Sequence, residues 1–458
     1  MNLIKKNLSI ILIGLIFSFL FSVYSINKFD NYEIRTDNQN YHSMIKGVNA
    51  NHWFKAKNIK DQLSEGKNYM ETGDIYDRNY LPSKIFLLYS YITGDNLTES
   101  QNKNKIVTDK KKIIFLFFQS ILYFSILFFF SLRLLKLLKP TQVFCVISFL
   151  SFEPTLLQWH SSFWSESIFI SLQLLFFTIF LTKNLRYRDL ITGGLILGLM
   201  FLQRSATIYY VFIILIFLYF SLNNQKLKKI SFFLLSYIIV LSFVGIHNLK
   251  RAGIFYIAPT DQKLAIKIYM MPSVMSSKEN ISTSVAKEKI NKEIESLTYE
   301  KKFKLENEDE LFEYYKMIQK YSYKYIFQNP IETTKFIFKK SLHTAVLDPV
   351  HVLYFHKFEY KGKKRYLNSP EHQFWIPIRI VYSLVIYSVV LIGFITLFKK
   401  DKKIFLLTSI SVFYFFFILS WLGNPRYFTP CLIYLSLFFG FGLDKLIEIF
   451  KSKKVEKF

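Results

Sequence analysis

Cysteine is scarce in this chain of 458 residues, which contains only Cys145 and Cys431. Both lie inside apolar runs, where an unpaired cysteine behaves as a small buried hydrophobic residue. Two such positions support neither a disulfide framework nor a zinc site. The sequence also has no Gly-rich nucleotide-binding loop, no internal repeat and no low-complexity linker. It therefore gives no support to a disulfide-stabilised secreted module or to nucleotide chemistry.

Acidic residues are also few, since 33 Asp and Glu stand against 59 Lys and Arg and leave a formal net charge of +26. In a soluble protein such an excess would suggest nucleic-acid binding. Here much of it lies in short loops between apolar runs, where Lys and Arg set the orientation of membrane helices. We therefore expect no nucleic-acid partner.

Apolar and aromatic side chains are abundant, at 51% and 19% of the residues. A helix needs about 20 apolar residues to cross roughly 30 Å of hydrocarbon. The first apolar run, residues 8–24, follows two lysines but precedes no small-x-small cleavage site, so we interpret it as a retained helix. The clearest further segments of sufficient length are 113–132, 163–181, 230–246, 376–398 and 404–421.

The basic loops define one path through the membrane. With the N-terminus in the cytoplasm, every short loop on the cytoplasmic side is basic, as the positive-inside rule requires. The sequence predicts an all-α polytopic protein of the plasma membrane, with about ten transmembrane helices and helical extracytoplasmic loop regions. The predicted segments are a first transmembrane helix (1–25), a first outer loop with amphipathic helices (26–111), helices 2–7 (112–249), an outer helical segment with an interfacial helix (250–375), helices 8–10 (376–450) and a basic cytoplasmic tail (451–458).

Ionisable residues gather on one side of this path. Such a group costs at least ~2.5–3 kcal/mol toward the centre of a membrane helix and less near its ends, so it normally faces a watery cavity or another polar group. Two acids and three arginines at the outer surface of the membrane indicate an extracytoplasmic active site that holds an anion. The polar residues predicted at outer helix ends or in outer loops are Asp37, Glu166, Arg204, His247, Asn248, Arg379 and Arg426.

Four of these residues also have a plain structural interpretation. Asp37 fits the N-cap of a short helix, and Glu166 fits an acid favoured by the dipole at a helix start. Arg204 fits a helix cap, and Arg426 fits an anchor that extends its charge toward the membrane surface. Composition and spacing alone leave both interpretations open.

Six short motifs nevertheless resemble one family of membrane enzymes. The series spans nearly the whole chain and is similar to the GT-C superfamily of polytopic glycosyltransferases, in particular to protein O-mannosyltransferases and aminoarabinose transferases. Members of this family use polyprenyl-phosphate-linked sugars. The motifs are TDNQNYHSMIKG, YLPSKIFLLYSYITGD, FWSESIFI, GGLILGLMFLQRSATIY, HNLKRAGIFYIAP and NPRYFTP.

The resemblance implies inverting transfer of a sugar from a polyprenyl-phosphate donor to a hydroxyl of a glycan, lipid or protein acceptor. Asp37 would be the base that takes the acceptor's proton, and Glu166 would orient the acceptor or share that role. Arg204 and Arg426 would bind the donor phosphate, because guanidinium forks contact phosphate oxygens in pairs. The resemblance implies no organic cofactor and leaves a divalent metal open. Additional binding candidates are Arg379, Lys84 and Arg78 for the phosphate, and Tyr41, His247, Asn248 and Tyr427 for other parts of the substrates.

Two other functions fit part of the pattern. A transporter or flippase of lipid-linked sugars also needs an arginine-lined cavity, but it predicts charges at mid-membrane depth and pseudo-symmetric halves, which the sequence does not show. A ligase or polymerase of surface glycans, with diphosphate-linked donors, would share the helices and the arginines. In that enzyme Asp37 would have no role.

Overall fold

A computed structural model describes most of the chain. In this part all regular structure is helical and no strand occurs, which confirms the all-α prediction there. The described residues are 2–28, 80–93, 109–160, 165–182, 184–252, 255–257, 264–300, 308–347, 370–422 and 427–455. The α-helices are α1 (Asn2–Lys28), α2 (Tyr80–Thr93), α3 (Asp109–Leu134), α4 (Pro140–Phe152), α5 (Pro154–His160), α6 (Glu166–Phe180), α7 (Tyr187–Gln203), α8 (Tyr210–Ser221), α9 (Lys226–Ala252), α10 (Met271–Glu279), α11 (Thr283–Glu300), α12 (Glu308–Gln328), α13 (Pro330–Leu347), α14 (Pro370–Lys400), α15 (Lys402–Tyr414) and α16 (Thr429–Val455).

Four of these helices contain a segment long and apolar enough to cross a membrane: Ile4–Val23, Ile114–Leu134, Lys226–Lys250 and Ile380–Lys400. The α4–α5 pair adds a fifth if it counts as one bent span. Shorter apolar helices cover Glu166–Phe180 and Ser205–Ser221. The described residues thus contain four to five candidate spans, and the number of about ten stays a prediction.

The outward surfaces of the long helices are apolar. On α14, Val381, Leu384 and Leu391 are 59%, 60% and 61% exposed. A helix in water turns its apolar stripe inward and its polar face outward. This reversed arrangement is the one expected of helices that face lipid, and together with the apolar spans it indicates a membrane protein.

Two helix boundaries differ from those expected from the sequence. The segment expected to form one helix at about 141–158 is α4 followed by α5, bent by 50°. Pro154 opens α5 and ends α4, because a proline lacks the N–H and its ring clashes with the preceding turn. The eighth predicted helix begins at Pro370 instead of about residue 376, and Pro377 lies inside it. Arg379 therefore lies beyond the first turn of α14, just before its apolar segment.

Small residues allow the helices of the bundle to approach closely. A Cβ on Gly393 would overlap the carbonyl of Phe438, and a Cβ on Gly442 would overlap the carbonyl of Val389, so α14 and α16 cross nearly backbone to backbone. Gly198 faces Val240 in the same way between α7 and α9. In lipid, where the hydrophobic effect does not drive helices together, such contacts provide the van der Waals packing.

A smaller helical unit, α10–α12, has an apolar core of its own. It joins the bundle through α13, where the hydroxyl of Thr344 donates to the carbonyl of Ser420 at 3.0 Å. The hydroxyl of Tyr387 on α14 likewise donates to the carbonyl of Ala345 at 2.7 Å. The placement of α13 at a membrane surface stays a prediction. The buried residues of this core are Met271, Met275, Ala286, Ile290, Ile294, Met317 and Ile318.

The basic ends of several helices lie together, at what we call the basic end of the bundle. Lys139 pairs with Glu448 at 2.8 Å, and Gln142 donates to the buried carboxylate of Asp444 at 2.9 Å. Lys403 donates to the carbonyl of Thr182 at 3.1 Å. Asp444 of α16 lies at this basic end. Thr429, the first residue of α16, lies about 22 Å away along the helix axis, at the opposite end of the bundle.

Candidate functional site

Glu166 lies at the start of α6, at the end of the bundle opposite the basic end. It is the first residue of the helix and is 2% exposed. The hydroxyl of Ser165 is 3.4 Å from Glu166 Oε2. An acid in the first turn interacts favourably with the helix dipole, which accounts for its position but not for its burial.

Arg204 directly follows the last residue of α7 and is 5% exposed. Its backbone N–H donates to the carbonyl of Met200 at 2.8 Å, and the preceding Gln203 donates its amide to the carbonyl of Ser165 at 2.9 Å. These bonds fix the end of α7 against the start of α6. The close packing of α7 on α9 through Gly194 and Gly198 holds the rest of the helix in place.

Glu166 and Arg204 form a buried ion pair. Arg204 Nη1 lies 3.2 Å from Glu166 Oε1, and the two side chains are 6% and 3% exposed. Charges removed from water need a partner, because desolvation costs several kcal/mol per ion. The structure thus brings together two predicted site residues that are 38 positions apart in the sequence.

Two aromatic rings cover the guanidinium of Arg204. Its Cζ lies 4.9 Å from the centroid of Tyr427 and 5.6 Å from that of Phe169. Rings at these distances attract a cation through their negative faces. Tyr427 is the third predicted site residue in this group, which we call the Glu166–Arg204 site.

The chain just after Tyr427 is held by hydrogen bonds to α5 and α6. The indole N–H of Trp159 donates to the hydroxyl of Thr429 at 2.8 Å. The amide of Gln173 on α6 donates to the carbonyl of Pro430, also at 2.8 Å. These two bonds attach the start of α16 to α5 and to the middle of α6, and Tyr427 lies two residues before Thr429.

Three other predicted site residues are described but are not shown to contact this pair. Lys84 is 5% exposed on α2, a helix that packs on α7. Asn248, near the end of α9, is fully buried and donates its amide to the carbonyl of Tyr256 at 2.8 Å. His247 is partly exposed beside it. The bond of Asn248 thus joins α9 to residue 256, and a role of Asn248 in substrate binding stays a prediction.

The remaining predicted residues lie outside the described part of the chain. They are Asp37, Tyr41, Arg78 and Arg426, together with the side chain of Arg379. Their roles stay predictions. Among the described residues no group of three or more His, Cys, Asp or Glu could hold a metal ion.

Sequence reasoning missed a second buried carboxylate in the same half of the bundle, Glu153 at the bend between α4 and α5. It is 4% exposed and accepts the backbone N–H of Leu156 at 3.0 Å and the hydroxyl of Thr155 at 3.1 Å. Thr344 and Tyr382 line a cavity of about 20 Å³ beside it, which is enough for a single water. The sequence does contain a sign of this bend. Pro154 follows Glu153 after an apolar run, and proline is common at the first position of a new helix.

Comparison with solved structures gives a likeness in fold only. No model of a known protein family matches the chain, and no curated protein matches it either. The chain is similar to a solved structure described as the archaeal oligosaccharyltransferase AglB from Archaeoglobus fulgidus in complex with an inhibitory peptide and a dolichol-phosphate. The two are 11% identical with a TM-score of 0.47, over 98% of this chain and 51% of that one. The chain therefore spans about half the length of that protein.

Proposed function

We propose that this chain is a membrane glycosyltransferase of the GT-C type. It moves a sugar from a polyprenyl-phosphate donor to an acceptor hydroxyl at the outer face of a plasma membrane. The observation that supports the proposal is the Glu166–Arg204 site, where a buried ion pair and the half-buried ring of Tyr427 bring together residues of three separate family-like motifs. The sequence motifs supply the reaction type.

In the proposed reaction the carboxylate of Asp37 takes the proton of the acceptor hydroxyl. The acceptor oxygen forms a bond to C1 of the sugar while the bond from C1 to the phosphate oxygen breaks. The electron pair of that bond leaves with the polyprenyl phosphate, and direct displacement inverts the configuration at C1. A base positioned in this way contributes about 10²–10⁴-fold to the rate.

Arg204 and Arg426 stabilise the charge that develops on the leaving phosphate, because preorganised donors are most effective where charge appears. The pairing with Glu166 gives that acid a positioning role in addition to the acceptor role suggested by the motif. It holds one edge of the guanidinium, and the rings of Tyr427 and Phe169 cover its face. Arg426 precedes Tyr427 directly in the sequence, so the same segment supplies an aromatic cover and a second cation.

The first experiment identifies the product, by mass spectrometry of cell-envelope glycolipids and glycoproteins with and without the gene. The second measures sugar transfer by the purified full chain in liposomes that contain the matching polyprenyl-phosphate sugar. We expect Asp37→Asn to lose about 10²–10⁴-fold in rate. Arg204→Lys keeps the charge but loses the fork, and we expect it to lose rate as well.

Arg188→Gln is the matched control, because its side chain is 76% exposed on α7 and belongs to the basic end. Its transfer rate should equal that of the wild type. Full transfer by Asp37→Asn would show that the assigned base is wrong. A lipid-scrambling assay on the same liposomes separates the flippase alternative: flipping without transfer would overturn the glycosyltransferase proposal.

A further inference from the structure

A cleft of about 280 Å³ opens on the side of the bundle at its basic end. Three helices form it: α3 along one wall, α6 opposite, and the start of α7 at the rim. It contains no residue of the Glu166–Arg204 site and has no role in the proposed reaction. The lining residues are Phe129, Leu132, Arg133, Lys136, Thr178, Ile179 and Asp189.

The wall formed by α3 changes from apolar to basic along its length. Phe129, 60% exposed, lies inside the candidate span Ile114–Leu134, and Arg133 lies near the end of that span. Lys136 follows in the turn just after the helix. Seven residues separate Phe129 from Lys136, which is about 10 Å along a helix axis. A molecule that fills the cleft therefore needs an apolar part and an anionic part joined over this distance.

The guanidinium of Arg133 is held in place. Its Nε donates to the carbonyl of Leu181 at 2.7 Å, which attaches the end of α3 to the end of α6. Within the described residues Arg133 forms no ion pair with a carboxylate. A fixed guanidinium fork beside a flexible lysine suits phosphate oxygens, which the fork contacts in pairs and the ammonium contacts as a point charge.

Asp189 is the one acidic residue in the lining, and other groups engage its charge. Its Oδ2 accepts the backbone N–H of Arg186 at 2.9 Å, at the start of α7. Its Oδ1 lies 3.8 Å from Nε of Arg188. The hydroxyl of Thr178 donates within α6, to the carbonyl of Leu174 at 2.7 Å. The cleft as a whole therefore keeps a basic character.

We propose that this cleft binds an anionic phospholipid from the leaflet on the basic side of the membrane. Its phosphate contacts Arg133 and Lys136, and an acyl chain lies along Phe129, Leu132 and Ile179. Basic pockets between membrane helices are suited to such headgroups. A free phosphate ion would use only the basic half of the cleft and leave its apolar half without a ligand, so we commit to the lipid.

Native mass spectrometry of the full chain tests this directly. The detergent-solubilised protein is titrated with phosphatidylglycerol, with phosphatidylcholine of the same acyl chains, and with phosphatidylglycerol in the presence of inorganic phosphate. We expect one phosphatidylglycerol to be retained in preference to phosphatidylcholine. The variant Arg133→Gln with Lys136→Gln should bind it about 30-fold more weakly, since each basic side chain near a membrane surface contributes about 1 kcal/mol.

The single variant Lys136→Gln keeps the hydrogen bond between Arg133 and Leu181, so it should fold even if the double variant does not. We expect it to bind phosphatidylglycerol about 5-fold more weakly than the wild type. The matched control is Lys228→Gln with Lys402→Gln, which removes the same charge from two exposed residues outside the cleft, and it should bind like the wild type. Equal retention of both lipids, an equal loss in the control, or full competition by inorganic phosphate would each overturn the proposal. Because the readout is lipid binding, this result is independent of glycosyltransferase activity.

Discussion

Both ends of the bundle contain ion pairs, but the two differ in their contact with water. At the basic end, the side chains of Lys139 and Glu448 are 56% and 44% exposed. At the other end, those of Arg204 and Glu166 are 6% and 3% exposed. Exposed pairs contribute little to stability, whereas buried pairs need both partners. Loss of one partner should therefore destabilise the fold far more at the Glu166–Arg204 site than at the basic end.

The largest effect should follow from breaking the buried pair on one side. Arg204→Ala leaves the carboxylate of Glu166 buried without this cation, and we expect a loss of about 3–5 kcal/mol in the free energy of unfolding. Thermal unfolding of the full chain in micelles measures it. A midpoint equal to that of the wild type would mean that water reaches Glu166.

An intermediate effect is expected for the buried acid of the basic end. Asp444→Ala removes the acceptor that Thr141 and Gln142 share. Gln142 is 2% exposed, and leaving a buried donor unsatisfied costs about 1–3 kcal/mol, whereas the exposed hydroxyl of Thr141 can turn to water. The same unfolding measurement applies, with Asp444→Asn as the shape-matched control that should lose less.

A smaller effect on stability is expected when both members of the buried pair are replaced together. Glu166→Leu with Arg204→Leu removes the desolvation of two ions, and such replacements are often neutral or stabilising by about 1–4 kcal/mol. Sugar transfer should nevertheless be lost. A double variant that kept transfer would show that the pair serves folding alone and would contradict the proposed function.

The smallest effect is expected at the exposed pair. Lys139→Ala should leave the unfolding midpoint and its dependence on salt unchanged, because solvent screens this pair. The control is Glu448→Ala, which should behave in the same way. A clear loss of stability in either variant would contradict the distinction between the two ends.

Much of the helical framework follows from the sequence. The all-helical class and the apolar spans are visible in the composition and the run lengths, because a membrane requires each span to satisfy its backbone hydrogen bonds internally. The bend at Glu153 was missed, although Pro154 marks it, since an apolar run of sufficient length favours one continuous helix. Nothing in the sequence around Glu153 or Asp444 indicates burial, because neighbouring helices bury these two acids.

Local composition is enough to predict which segments are apolar and which helix ends are basic, because the thickness of the hydrocarbon and the charge of the loops act on short stretches of the chain. Only the tertiary structure decided that Glu166 meets Arg204 under the ring of Tyr427. That contact depends on how closely α6, α7 and α16 pack. The distance between helices is set by side chains and glycines on facing surfaces, and no single segment contains that information.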